Sequence, residues 1–180
     1  MKNIFKKTML FALIAALAVA SLPFVGVSAA GADDPNPPQG PVTNEKLEQA
    51  WARQRQVYER LGKGFDQADE FIANARQLIE RAKDNGKDVS AVQSALTAFE
   101  AAVKAAHPIY ESGKGIINSH QGFDADGKVT DLEKAKETVR SMGDKLKEIK
   151  AAMNGTGKAL RDAIKAFREA NPRPTKTPAP

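Results

Sequence analysis

Residues 47–82 read LEQAWARQRQVYERLGKGFDQADEFIANARQLIERA, and the spacing within them decides the fold. Apolar or small residues step through Leu47, Ala50, Val57, Leu61, Gly64, Ala68, Phe71, Ala75, Leu78 and Ala82, with Gln54 in the same row. Alternating steps of three and four keep side chains on one face of a helix. Beside them Trp51, Tyr58, Phe65, Ile72 and Ile79 form a strict heptad row. The extra row widens the face, as packing against two neighbours requires. The phase never slips, so the spacing predicts one long helix through Gly62 and Gly64, although each glycine costs about 1 kcal/mol against alanine. A break at those glycines would give a four-helix bundle instead.

Two further seams follow. The second runs Val89, Val92, Leu96, Phe99, Val103, Ala106, Tyr110, Gly113, Ile117, His120, and its phase survives Pro108, which predicts a kink there rather than an end. The third runs Leu132, Ala135, Val139, Met142, Leu146, Ile149, Met153, Thr156, Leu160, Ala163, Phe167, Ala170, with a weak point at Asn154-Gly155-Thr156-Gly157 where the helix can break. Asp84-Asn85-Gly86 stops the first helix. Asp88 or Ser90 can cap the second, and Ser90 with Gln93 and Thr130 with Glu133 have capping-box spacing. Short connections make neighbouring helices antiparallel. The expected fold is therefore all-α: an elongated up-down-up antiparallel three-helix bundle with coiled-coil packing, its helices over roughly 44–84, 88–120 and 130–170. Gly62, Gly64, Pro108 and Gly143 fall at similar heights, which predicts a thin waist holding a hinge or a small pocket.

The flanks have a different character. Lys2, Lys6 and Lys7 precede an almost wholly apolar run from Met9 to Ala20, and Val27-Ser28-Ala29-Ala30 supplies small residues. That layout predicts a secretory signal peptide over 1–30, and hence a secreted or extracytoplasmic protein with no membrane span once the signal is removed. Eight of the ten prolines lie in 32–41 and 171–180, which reads as a Pro-rich linker over 31–43 and a Pro-rich tail over 171–180 around the bundle at 44–170. The whole chain has 180 residues and a net charge of +5. The signal carries three lysines and no acid, leaving 24 basic residues against 22 acidic ones, or +2. No basic face interleaves with aromatics, so nucleic acid is not an expected partner. There is no cysteine, which excludes disulfides, thiolate metal sites and thiol catalysis.

Between the second and third seams lies Gly122-Phe123-Asp124-Ala125-Asp126-Gly127-Lys128-Val129-Thr130-Asp131-Leu132-Glu133. Over these twelve residues the chain resembles an EF-hand calcium loop. The resemblance implies side-chain oxygens from Asp124, Asp126, Thr130 and Glu133, the main-chain carbonyl of Lys128, a turn at Gly127 and an aliphatic residue at Val129. It departs from the family at the first ligand position, where Gly122 replaces an aspartate. The same residues also read as a polar turn at 124–127 followed by a cap at Thr130 and Glu133, with no metal.

Other chemistry is sparse. His120 lies near the loop, at the end of the second seam. His107 and Met142 fall at similar heights, as a haem would need, but His107 shares a row with the solvated Glu100 and Lys114 while Met142 points inward. The carboxylates are spread along helix surfaces with no paired set for hydrolysis. These features point to a non-enzymatic bundle with a structural or interaction role toward an unidentified protein or cell-surface partner. Two alternatives remain from the sequence: a calcium-responsive binding module using the loop, and an extracytoplasmic holdase exposing part of its apolar seam.

Overall fold

The computed structural model describes residues 42–172. The expected signal at 1–30, the linker up to residue 41 and the tail from residue 173 lie outside the described residues. Within them the chain forms four helices: α1 (Asn44–Asp84), α2 (Ser90–Ser119), α3 (Leu132–Met153) and α4 (Thr156–Ala170). Helix α2 packs against α1, α3 and α4, and α1 also packs against α3. The architecture is the expected all-α bundle, with its third rod made of two helices in succession. No helix among the described residues is long and apolar enough to cross a membrane.

Local chemistry sets the boundaries. The Thr43 hydroxyl accepts the Lys46 amide at 3.4 Å, Glu45 sits in the first turn of α1, and Arg81 and Lys83 sit in the last, which suits the helix dipole. Helix α1 then continues unbroken for 41 residues, so the four-helix alternative with a break at Gly62–Gly64 does not form. At about 1.5 Å per residue it is about 60 Å long. Helix α2 is opened by Asp88, whose Oδ1 accepts from the Ser90 amide at 3.0 Å and the Ser90 hydroxyl at 2.7 Å. It passes through Pro108 without ending. The third rod breaks at its predicted weak point. Asn154 and Gly155 have φ of 41° and 70°, a left-handed pair suited to asparagine and glycine because Cβ crowding excludes most other residues.

The seams predicted from spacing are the buried ones. A long core joins Leu61, Phe65, Ile72 and Ile79 of α1 to Val92, Leu96, Phe99 and Val103 of α2, and to Ile149, Met153, Leu160 and Ile164 of α3 and α4. A second core at the other end holds Leu47, Trp51, Tyr58, Phe123, Ala135 and Met142. Each such large side chain contributes on the order of 1.5–3 kcal/mol by leaving water. Two seam positions differ from expectation. Leu132 is 37% exposed because it opens α3 directly after the capping residue, and Ala170 is exposed at the last turn of α4.

The two cores meet at the predicted waist, where Tyr110 and Leu146 touch both. The waist is filled rather than hollow. Tyr110 lies over Gly62, its Cζ 3.2 Å from where a Cβ would stand, and Tyr58 lies over Gly113 with Cε2 at 2.9 Å. Gln54 fills the notch at Gly143 and donates from Nε2 to the Val139 carbonyl at 2.9 Å. Glycine is favoured at Gly62 and Gly113 because a tyrosine ring occupies the volume of the missing side chain.

Candidate functional site

The Asp-rich segment between α2 and α3 is a closed hairpin. Helix α2 ends at His120, in the left-handed region at φ 30°, with its N–H donating to Ile116 O at 3.0 Å. Phe123 and Val129 then form an antiparallel bridge. The Asp124 amide donates to Lys128 O at 2.9 Å, and Gly127, at φ 79°, donates back to Asp124 O at 3.0 Å. Asp124 Oδ1 accepts the amides of Asp126 at 3.0 Å and Lys128 at 2.8 Å. The amides of Thr130 and Asp131 both donate to Gly122 O, at 2.9 and 3.3 Å. From Phe123 to Asp131, Ala125 alone has a main-chain N–H without a partner among these bonds. Such accounting marks a folded element, because main-chain donors left unmade are costly.

Three contacts seat the hairpin on the bundle. Phe123 is buried and stacks on Trp51, centroids 5.3 Å apart and planes 12° apart. Glu48 of α1 accepts the Val129 amide at 3.1 Å through Oε1 and pairs through Oε2 with Lys128 Nζ at 2.8 Å. The Lys128 hydrogen bond, with help from the Val129 amide, holds the Glu48 carboxyl below its ordinary range. Thr138, the buried polar residue of α3, donates its hydroxyl to Gln121 O at 2.8 Å. Asp131 finishes the connection by capping α3. Its Oδ1 accepts the amides of Lys134 and Glu133, both at 3.2 Å, and the Lys134 amide, followed by the Lys134 side chain, holds its carboxyl below the usual range.

The residues proposed as calcium ligands are used differently in this geometry. Asp124 Oδ1 and the Lys128 carbonyl are hydrogen-bonded inside the hairpin. The Glu133 carboxylate pairs with Lys136 at 2.7 Å. Asp126 and Thr130 are exposed. Among the described residues no three His, Cys, Asp or Glu side chains converge as a metal would require. In this arrangement the five positions serve the hairpin's own bonds, an ion pair or solvent rather than one another. Gly122 has a constraint of its own. It sits at φ 82°, and a Cβ there would run into the Ala135 amide nitrogen and come within 2.7 Å of Asp131 O. In this arrangement the space a side chain at position 122 would take is filled by the backbone of α3. The α3 cap is Asp131, not the predicted Thr130 with Glu133, because Thr130 spends its amide on Gly122 O.

His107 and Met142 do not share a site. Met142 is fully buried in the hairpin-end core, whereas His107 is exposed, edge-on to Phe65 and 3.8 Å from Glu111. His120 Nδ1 lies 3.0 Å from Asn118 O and serves the end of its own helix.

Beside the hairpin is a hollow of about 400 Å³, lined among others by Glu45, Glu48, Trp51, Arg55, Asp126 and Lys128. Sequence reasoning missed this arrangement, and Glu48 carried no signal, since its partners lie some eighty positions away. Comparison with protein-family models, curated proteins and solved structures found no significant match.

Proposed function

We propose that the chain is an exported, non-enzymatic helical rod whose hairpin-capped end serves as an interaction surface. The observation that carries this reading is how the apolar and charged groups are used. The apolar seams are consumed against each other, and among the described residues the large hydrophobics left exposed are Val42 and Leu132. Most charged side chains that do pair lie three or four residues apart on one helix, as in Lys114–Glu111, Lys145–Glu148 and Lys158–Asp162. Such pairs solubilise a surface and contribute little stability. A rod of about 60 Å between Pro-rich segments suits spacing or presentation better than enclosure of a substrate.

A holdase would need a broad exposed apolar face, and Val42 and Leu132 do not make one. Small-angle scattering on residues 31–180, paired with an aggregation assay on reduced insulin, tests the reading. The expected outcome is an elongated particle that leaves insulin aggregation unchanged. Suppression at substoichiometric ratios would favour the holdase, and a spherical particle would remove the rod.

A further inference from the structure

The charges around the hollow are not balanced. Glu48 and Lys128 are closed on each other. Arg55 is half-buried and has no hydrogen bond or ion pair among the described residues, and neither the Glu45 nor the Asp126 carboxylate has one. The half-buried lysines of α3 behave otherwise: Lys136 is paired with Glu133 and Lys145 with Glu148. A guanidinium at the edge of a hollow is a ready partner for a carboxylate. Among the described residues no anion pairs with Arg55, which lines the cavity.

The hollow also has a direction. Glu45, Glu48 and Arg55 share a face of α1, and Glu45 and Arg55 are about 15 Å apart along its axis. At the Glu45 end, Glu45, Glu48 and Asp126 outnumber Lys128. At the other end Arg55 is the charged residue of the lining among the described residues. We propose that the hollow is a docking groove for an extended peptide segment that carries an acidic side chain for Arg55 and a basic side chain for Glu45 and Asp126. The guanidinium fork matches a carboxylate in two parallel hydrogen bonds, which gives the acidic end its geometry. At about 3.3 Å per residue, the acid and the base would be about five residues apart. This inference rests on the interaction reading and names the chemistry of its partner.

Trp51 is the sole tryptophan of the chain and lines the groove, so its fluorescence, together with the amide shifts of Arg55 and Gly127, reports occupancy. The probe is the blocked peptide Lys-Ser-Gly-Ser-Gly-Glu titrated into residues 31–180. Saturable binding is expected, weakened about tenfold by Arg55→Gln, the loss of one charge-assisted contact. Arg55→Lys should fall between the two, and about 0.5 M salt should weaken binding further. Arg60→Gln, on the exposed surface of α1, should bind as the wild type does. Equal binding by Arg55→Gln, equal titration by a peptide with glutamate at both ends, or no saturation up to about 10 mM would each overturn the proposal. Any of these with an elongated scattering profile would remove the groove and leave the rod; a spherical profile would remove the rod itself.

Discussion

The hydroxyl of Tyr58 donates to the main-chain oxygen of Tyr110 at 2.9 Å, and the two rings stack with centroids 4.3 Å apart. Each tyrosine also covers a glycine of the opposite helix, Tyr58 over Gly113 and Tyr110 over Gly62. The arrangement sets the register of α1 against α2 at the junction of the two cores. Burial pushes the Tyr58 phenol above its ordinary range, as expected for a neutral donor in a dry seam.

That reciprocity separates three glycines that look alike in sequence. Alanine normally stabilises a helix by about 1 kcal/mol over glycine. Gly115→Ala should do so, because nothing lies within 4 Å of its added Cβ. Gly62→Ala and Gly113→Ala should instead destabilise by about 1–3 kcal/mol, since a packed tyrosine must move. Urea melts of the three variants check the signs.

Restoring the acid that an EF-hand loop carries should not restore a calcium site. Gly122→Asp places a side chain against the α3 backbone at a left-handed φ. The expected result is a loss of about 2–4 kcal/mol with no calcium-dependent recovery. Melts with calcium and with chelator read both parts. A variant that keeps wild-type stability and gains melting temperature in calcium would contradict the hairpin geometry.

Phe123→Ala should cost about 3–5 kcal/mol, because the ring is buried against Trp51 and leaves a cavity. Near-ultraviolet dichroism and Trp51 emission should both change, while helix content at the opposite end persists.

Glu48→Gln tests the tether through pH. The native carboxyl of Glu48 lies below its ordinary value of 4.5, so the unfolded state binds the proton more readily. Its contribution is therefore complete above pH 4.5 and is lost as pH falls through the native value. Wild type should melt higher than the variant near neutral pH, and the gap should close on acidification. A gap that widens in acid would refute the assignment.

The helical seams were legible in the sequence because heptad spacing maps directly onto faces: Trp51, Tyr58, Phe65, Ile72 and Ile79 are all buried. The break at Asn154-Gly155 was legible for a similar reason, since both residues tolerate the left-handed region. The hairpin was not. Its tether, Glu48 to Lys128 and Val129, joins distant segments, and nothing in the local sequence around Glu48 distinguishes it from any solvated acid. Gly122 was read as a missing ligand, whereas its carbonyl and its lack of a Cβ are what the hairpin uses. A short motif reports residue types at a spacing; what the third helix places against them is a tertiary fact.

The most direct test of the account is amide hydrogen exchange, resolved by residue, on residues 31–180 in excess chelator. The claim is that the Asp-rich segment is a folded cap seated on α1 without metal. The amides of Asp124, Lys128, Val129 and Thr130 should then be protected in chelator and unchanged by calcium. Free-peptide exchange at these four while α1 and α2 stay protected, or protection that appears only with calcium, would contradict it.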